Sequence, residues 1–222
     1  MTRKKMNRRE ALQLGMGAAG MAIAATTPGL AAGADVLTTP HQTEGPFFPN
    51  RDQPDKDIDL TKIKGHSARA KGKVILVRGI ILDEDRKPVS GALIDVWQAN
   101  VHGRYDHEDD TNPAPLDPNF QSWAKMVTGD DGAYEFKTIM PGAYKVDGVW
   151  SRPPHIHFKI ARRGYHELTT QMYFAGEKLN DTDQILQALP KDEQALLVVN
   201  FESDTEGATA PTGQFDVLIR KV

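Results

Sequence analysis

The stretch Arg152-Pro153-Pro154-His155-Ile156-His157-Phe158-Lys159-Ile160 alternates apolar and polar side chains over its second half. Successive side chains of a β-strand point to opposite faces. The two isoleucines and the phenylalanine therefore share one face, while His155 and His157 share the other. The pattern predicts a strand that packs one face into a core and places two imidazoles side by side on the opposite face.

The same period of two recurs along the rest of the chain, and many short segments have the length and composition of strands. These are Lys73–Leu82, Ala92–Gln98, the residues around Tyr134 and Phe136, His155–Ala161, Leu168–Phe174, Ala195–Glu202 and Phe215–Arg220. The polar turn 83–88 predicts a strand pair, and Asp131-Gly132 predicts a hairpin-type turn. Only Asp181–Leu189 has a helical pattern. We therefore expect an all-β fold, a single β-sandwich catalytic domain over residues 73–222 with long functional loops.

Residues 35–72 are expected to form an N-terminal arm and loop rather than part of the sheets. Two polar stretches, Thr43–Leu60 and His102–Ser122, are too long for simple turns. Loops of this size often carry function.

The composition excludes several classes of protein. The 222 residues include 27 Lys+Arg and 30 Asp+Glu, a net charge of −3 that disfavours a nucleic-acid partner. The absence of an 18-residue apolar run argues against a polytopic membrane protein. With no cysteine, the chain has no disulfide, no thiolate metal site and no cysteine nucleophile. A bound metal would need His, carboxylate or Tyr ligands.

The first 34 residues have the pattern of an export signal. A basic start with Arg8-Arg9 is followed by the mildly apolar stretch Leu12–Ala25 and by the small residues Ala32-Gly33-Ala34. The arginine pair is similar to a twin-arginine signal, although Ala11 and Gln13 depart from that pattern, so the general secretory route stays open. We expect removal of residues 1–34, a periplasmic or extracellular protein, and no stable membrane anchor afterwards.

The pair His155 and His157 can serve several kinds of metal site, or it can be two surface histidines on an exposed strand. Cupin-type sites require a carboxylate three or four residues later, whereas the first acid here is Glu167. A zinc hydrolase requires a third ligand, for which His102 and His107 are candidates.

Five blocks of sequence carry a family resemblance. They are Thr43-Glu44-Gly45-Pro46-Phe47-Phe48, Asp95–Asn100 with Gly103-Arg104-Tyr105, Pro141-Gly142-Ala143-Tyr144, Arg152–Phe158, and Leu168–Phe174. In this order and spacing they resemble the intradiol ring-cleavage dioxygenases, in particular the protocatechuate 3,4-dioxygenase branch. The resemblance spans roughly Thr43 to Glu202.

The resemblance implies a non-haem Fe(III) ion with four protein ligands, Tyr105, Tyr144, His155 and His157. It also implies the reaction. The ring of a catecholic substrate, protocatechuate or a related catechol, is cleaved by O2 between the two hydroxylated carbons to give a cis,cis-muconate-type product. By the same resemblance Tyr144 leaves the metal when substrate binds and accepts a substrate proton, while Tyr105 stays bound. The set is chemically reasonable, because Fe(III) is a hard cation that prefers anionic oxygen and ionises a bound phenol.

Other residues receive roles from their position. Arg152 could stabilise negative charge that moves onto the substrate during attack by O2. Gln171 matches a family position from which it could hydrogen-bond near the iron or the substrate. Trp97 and Gln98 are expected to pack and to anchor a loop, and Trp150 is expected to line the pocket.

The substrate and the assembly are less well defined. The connection between Tyr144 and Arg152 is shorter than we expect in protocatechuate enzymes, which leaves recognition of the ring substituent open. Lys145 or Arg104 could pair with a carboxylate or sulfonate, or could be a solvated surface charge. The family includes assemblies of one and of two chain types, so a homo-oligomer and a hetero-oligomer are both compatible with the sequence.

Two other functions compete with the dioxygenase. An exported, non-enzymatic β-sandwich binding module would explain the fold and the signal. A zinc or other metallohydrolase would use the two histidines but gives no role to the paired tyrosines.

Overall fold

A computed structural model describes residues 37–53, 55–202 and 210–222. Their regular secondary structure is mostly strand, as predicted, with two short α-helices and one 3₁₀-helix (Lys178–Thr182). The strands are β1 (Val74–Leu82), β2 (Leu93–Trp97), β3 (Trp123–Val127), β4 (Ala133–Ile139), β5 (Tyr144–Lys145), β6 (Ser151–Arg152), β7 (His155–Ala161), β8 (Leu168–Phe174), β9 (Val198–Val199), β10 (Phe201–Glu202), β11 (Thr212–Gln214) and β12 (Val217–Leu218). The helices are α1 (Gln184–Gln187) and α2 (Lys191–Leu197).

The strands form two five-stranded sheets and one small ribbon. In the first sheet β1 pairs antiparallel with β4 on one side and parallel with β11 and β12 on the other, and β10 pairs with β11. The second sheet has the order β3-β2-β7-β8-β9. The ribbon joins β5 to β6 and sets Tyr144 opposite Arg152.

The two sheets share one hydrophobic core, as in a β-sandwich. The ring of Phe158 in β7 lies 5.9 Å from that of Phe136 in β4 and 5.0 Å from that of Phe215, which precedes β12. Ile156 and Ile160 are fully buried beside it. The apolar face predicted for the strand around His155 is therefore its core face.

Two predicted strand pairings are wrong. The strands on either side of the turn 83–88 do not pair, because β1 belongs to the first sheet and β2 to the second. The turn at Asp131-Gly132 likewise connects β3 and β4, which lie in different sheets. Gly132 does adopt the positive φ of +72° that such a turn needs. The turn residues were located correctly, but local sequence does not specify the sheet to which the next strand belongs.

The C-terminal third also differs from the prediction. The segment Ala195–Glu202 is not one strand, because α2 continues to Leu197 before β9 and β10 begin. Pro190 at its N-cap, with acidic residues in the first turn, favours this helix. The helix predicted over Asp181–Leu189 is divided between the 3₁₀-helix and α1, and the strand predicted over Phe215–Arg220 is reduced to β12. Strand β3 was not predicted.

The predicted export signal, residues 1–34, lies outside the described residues. Between residues 37 and 73 the described part of the chain has no strand or helix of its own, apart from an isolated bridge between Asp59 and Lys137. Within the described ranges, no helix has both the length and the apolar character needed to span a bilayer.

Candidate metal centre

His155 and His157 project from the face of β7 opposite Ile156, and both are buried. Their ring centroids lie 4.9 Å apart. The neighbouring strands flank the pair, with Trp97 of β2 and Gln171 of β8 in register with His157. The indole of Trp97 stacks on the His157 ring at 4.7 Å, with 10° between the planes. Strand alternation thus places two imidazoles together, as predicted, and Trp97 fixes the orientation of one of them.

Tyr105 extends from a loop to both histidines. Its Oη lies 3.2 Å from Nε2 of His155 and 3.2 Å from Nε2 of His157. The backbone N–H of Tyr105 donates to the buried carboxylate of Asp110 at 2.7 Å, and the ring of Phe47 packs on the tyrosine ring at 4.7 Å. The phenol oxygen and two ring nitrogens therefore converge on one point.

Tyr144 at the start of β5 completes the group. Its ring centroid lies 5.7 Å from that of Tyr105 and 5.8 Å from that of His155. Two glycines allow the tyrosine-bearing loops to approach this closely. A Cβ at Gly103 would lie 2.2 Å from the carbonyl oxygen of Ala143, and one at Gly142 would lie 2.4 Å from the backbone nitrogen of Gly103.

Hydrogen bonding leaves part of this group unsatisfied. Nδ1 of His155 lies 2.7 Å from the carbonyl oxygen of Pro153, so it carries the proton and Nε2 presents a lone pair. Nδ1 of His157 is buried and has no hydrogen-bond partner among the described residues in either tautomer. With the proton of His157 on Nδ1, as a metal bound at Nε2 requires, the two Nε2 atoms share a single hydroxyl proton, that of Tyr105. A cation bound there would satisfy the remaining lone pairs, so the residues present fit a metal ion.

Burial sets the ionisation of all four side chains. It raises the pKa of Tyr105 well above 10, and the adjacent Tyr144 adds to the rise. Burial also raises the pKa of Tyr144, although Arg152 opposes the shift. The pKa values of His155 and His157 lie well below 6.5 because burial and the nearby Arg152 cation disfavour imidazolium. Both imidazoles are therefore neutral, as metal ligands must be.

Arg152 is buried beside the centre rather than exposed as a surface charge. Its Nη2 donates to Oε1 of Gln171 at 2.6 Å and to Tyr173 Oη at 3.2 Å, and its Nε donates to Asp183 at 2.9 Å. Gln171 in turn donates to the carbonyl oxygen of Thr43 at 2.9 Å. Gln171 thus lies near the centre, as expected, and its hydrogen bonds go to Arg152 and to the N-terminal arm.

A cavity of about 640 Å³ opens beside these residues. Its walls include Tyr144, Arg152 and His157, together with Phe47, Val146 and Ile185. Trp150 and Lys145 also line it, as does His102 at the mouth. Arg104 does not line it, because its Nη1 donates to the carbonyl oxygen of Ala114 at 2.7 Å. Of the two cations considered for a ring substituent, the structure brings only Lys145 to the cavity.

The N-terminal arm forms part of the site. Gln42 accepts a hydrogen bond from Tyr173 at 3.1 Å, Phe47 packs on both tyrosines, and Phe48 meets Trp97 edge-on at 4.9 Å. Trp97 therefore packs as predicted. Gln98 anchors a loop as predicted, since its side chain donates to the carbonyl oxygens of Ala99 and Ile139.

Three contributing residues were missed in the sequence: Phe47, Asp110 and Asp183. Asp183 had a detectable signal as a helix N-cap, because aspartate before a helical segment is a common start. Its contact with Arg152 had no local signal.

Among the residues the structure describes, no group of three or more His, Cys, Asp or Glu side chains is placed to hold a metal. His102 and His107 do not join His155 and His157 in such a group.

Comparison with known families identifies the chain as a dioxygenase, because a family model described as "Dioxygenase" matches residues 43–220. The protocatechuate 3,4-dioxygenase beta chain of Burkholderia cepacia is 41% identical over 180 residues, which are 79% of this chain and 76% of that protein. The chain belongs to the intradiol ring-cleavage dioxygenases, a family of oxidoreductases.

Two solved structures show the same fold. The dioxygenase domain of a dioxygenase–carbohydrate-binding protein fusion from Streptomyces sp. SirexAA-E is 30% identical, with a TM-score of 0.62 over 84% of this chain and 100% of that one. The 3-chlorocatechol 1,2-dioxygenase of Rhodococcus opacus 1CP has a TM-score of 0.66 at 22% identity, over 83% of this chain and 74% of that one. At that identity the second likeness concerns the fold alone.

Proposed function

We propose that this chain is an Fe(III)-dependent intradiol dioxygenase that opens the ring of a catecholic substrate between its two hydroxylated carbons. One O2 is consumed, the O–O bond and the carbon–carbon bond break, and both carbons become carboxyl groups of a cis,cis-muconate-type product. Both oxygen atoms enter the product, so no further reductant is required. The observation that carries the proposal is the convergence of Tyr105, Tyr144, His155 and His157 on one point beside a cavity.

The donor set suits the proposed metal. Two phenol oxygens and two neutral imidazoles, with no thiolate, match a hard trivalent cation. Tyr105, Tyr144, His155 and His157 would hold it. When bound, Fe(III) ionises the phenols and supplies the charge that binds the two catechol oxygens for reaction with O2.

The two tyrosines have different access to a substrate. Tyr105 is only 3% exposed, whereas Tyr144 is half-buried and forms part of the cavity wall. Tyr144 is therefore the tyrosine that a catechol in the cavity would meet, and its phenolate would accept a proton from a catechol hydroxyl. We therefore assign Tyr144 as the acceptor of a substrate proton and Tyr105 as the residue that keeps its position.

Arg152 provides the positive charge of the cavity. Desolvation lowers its pKa, but the surrounding Tyr173, Asp183, Tyr144 and Tyr105 outweigh that effect and raise it, so the side chain stays a cation. A fixed cation in a water-poor site stabilises negative charge that develops on the substrate during attack by O2. Gln171 supports this role by accepting a hydrogen bond from the guanidinium.

The cavity fits a substituted catechol. Phe47, Val146 and Ile185 provide an apolar wall for the ring, and the volume of about 640 Å³ lies in the usual range for small-molecule sites. Lys145 at the wall would pair with an anionic ring substituent. Protocatechuate is therefore the first substrate to test, and this choice agrees with the name of the Burkholderia relative.

The assembly and the location are also proposals. The Burkholderia relative is named a beta chain, which makes a partner chain of a second type the first assembly to test, alongside a homo-oligomer. The proposed location is outside the cytoplasm, in the periplasm or beyond, on the basis of the signal pattern in residues 1–34.

The decisive experiment combines metal analysis, a visible spectrum and oxygen uptake. Purified protein should contain iron, show a red-brown phenolate-to-Fe(III) charge-transfer band, and consume one O2 per protocatechuate or catechol with formation of a dicarboxylate. Colourless protein that takes up no oxygen after incubation with iron would overturn the proposal and favour the non-enzymatic binding module.

Tyrosine variants test the ligand assignment. Tyr105→Phe and Tyr144→Phe should each weaken or abolish the visible band, because each removes one phenolate. Tyr134→Phe is the matched control, since Tyr134 is buried like Tyr105 but donates to the carbonyl oxygen of Phe215 in the core. Retention of the full band and of all iron in both site variants would exclude the tyrosines from the metal.

A further inference from the structure

A fully buried ion pair lies behind the cavity wall. Nε of Arg152 donates to Oδ1 of Asp183 at 2.9 Å, and the two side chains are 5% and 0% exposed. A buried carboxylate is costly unless it is paired and hydrogen-bonded. Asp183 is thus tied to one arginine, and that arginine faces the site at which we place the substrate.

The remaining hydrogen bonds of Arg152 leave one part of its guanidinium unused. Nε serves Asp183, while Nη2 serves Gln171 and Tyr173. The hydrogen bonds of Arg152 to the described residues involve no Nη1 atom, although that nitrogen carries two N–H donors. The guanidinium is therefore held through Nε and Nη2. The two N–H groups of Nη1 remain free, and Arg152 lines the cavity.

Arg152 lies next to one of the proposed metal ligands, because Tyr144 is its direct neighbour across the ribbon of β5 and β6. Other groups must therefore hold its guanidinium in place. Among its hydrogen-bond partners in the described residues, only Asp183 carries a charge.

Asp183 also connects Arg152 to a second part of the cavity lining. Its other oxygen, Oδ2, accepts the backbone N–H of Leu186 at 3.1 Å and so caps α1. Ile185, in the same turn, lines the cavity. One carboxylate therefore holds both the cation and the helical turn that carries an apolar lining residue.

We propose that Asp183 is a positioning residue, which holds the guanidinium of Arg152 so that Nη1 faces the ring of the bound catechol. The proposal rests on the function proposed above. Asp183 does not touch the substrate, and it acts through the arginine.

Asp183→Ser is the test variant, because serine still caps α1 but removes the partner of Arg152. We expect kcat for ring cleavage to fall about 10- to 100-fold, the usual cost of losing a residue that orients an active-site group, with iron content and KM nearly unchanged. Glu177→Ala is the control. Glu177 caps the preceding 3₁₀-helix by accepting the N–H of Leu179 at 3.1 Å and has no contact with Arg152, so kcat should not change.

A double-mutant cycle separates positioning from general stability. In an Arg152→Gln background, Asp183→Ser should change kcat by less than about twofold, because its effect requires the arginine. Equal losses in both backgrounds would refute the proposal. If Asp183→Ser does not fold, Asp183→Asn, which keeps the shape and removes the charge, takes its place in the cycle.

A crystal structure of the variant provides a readout that does not depend on activity. The guanidinium of Arg152 should leave its present position, with loss of its hydrogen bond to Gln171, to Tyr173 or to both. An unmoved arginine would refute the positioning role even in an active enzyme. Absence of ring cleavage by the unmodified protein would instead refute the proposed function.

Discussion

Substitution of Gly103 by alanine should separate the two tyrosine loops and disable the metal centre. Gly103 has a φ of +75°, in the left-handed region, and an alanine Cβ would lie 2.2 Å from the carbonyl oxygen of Ala143. The backbone conformation costs a residue with a side chain about 1–2 kcal/mol. Forcing a methyl group into a packed contact costs about 1–3 kcal/mol more. The free energy of unfolding should therefore fall by about 2–5 kcal/mol, a large share of a typical stability of about 5–15 kcal/mol.

The matched control is Gly164→Ala, where φ is +88° and nothing lies within 4 Å of the added Cβ. It has the backbone cost without the collision, so it should lose about 1–2 kcal/mol and keep its iron. Urea unfolding of both variants, with iron content and visible absorbance measured on the same samples, gives the comparison. If Gly103→Ala lost no more stability than Gly164→Ala and retained the full absorbance, the close approach of the two loops would not matter for the site.

Three other variants test the histidine ligands, the core face of β7 and the export signal. His157→Ala should lose iron, whereas Ile156→Ala, on the core face of the same strand, should keep the metal and lose about 2–5 kcal/mol of stability; stoichiometric iron in the histidine variant would contradict the assignment. Arg8→Lys together with Arg9→Lys keeps the basic charge but should trap active precursor in the cytoplasm, because a site built from distant segments has to fold before or with metal loading. Export and cleavage of that double variant at the normal level would favour the general secretory route.

Strand periodicity predicted much of the second sheet and the orientation of its histidines. It succeeded for β7 because one face is a core face and the other is the site, so the alternation of Ile156 and His157 reflects two different environments. It did not predict which strands pair. The turn that follows β1 and the turn at Gly132 both lead into the opposite sheet, and that choice depends on the packing of the whole core.

The residues of the candidate metal centre come from distant segments, so local sequence alone could indicate only some of them. Tyr105 and Tyr144 carry no local signal of their function, and the family resemblance supplied them. Asp183 lies 31 residues from its partner Arg152, and no periodicity relates the two. The segment Ala195–Glu202 was predicted as one strand because apolar content alone does not distinguish a short strand from the last turn of a helix.

The segments around the cavity differ in how much substitution they can accept, and this difference bears on how substrate specificity can be changed. At Gly103 and Gly142, on the loops that carry the tyrosines, an added Cβ would collide with neighbouring backbone. The segment 145–150, of which Lys145, Val146 and Trp150 line the cavity, is largely exposed. Substitutions at exposed positions usually change stability by less than about 0.5 kcal/mol. Directed evolution toward other ring substituents is therefore best confined to that segment, because substrate range can change there while the ligand positions stay constant.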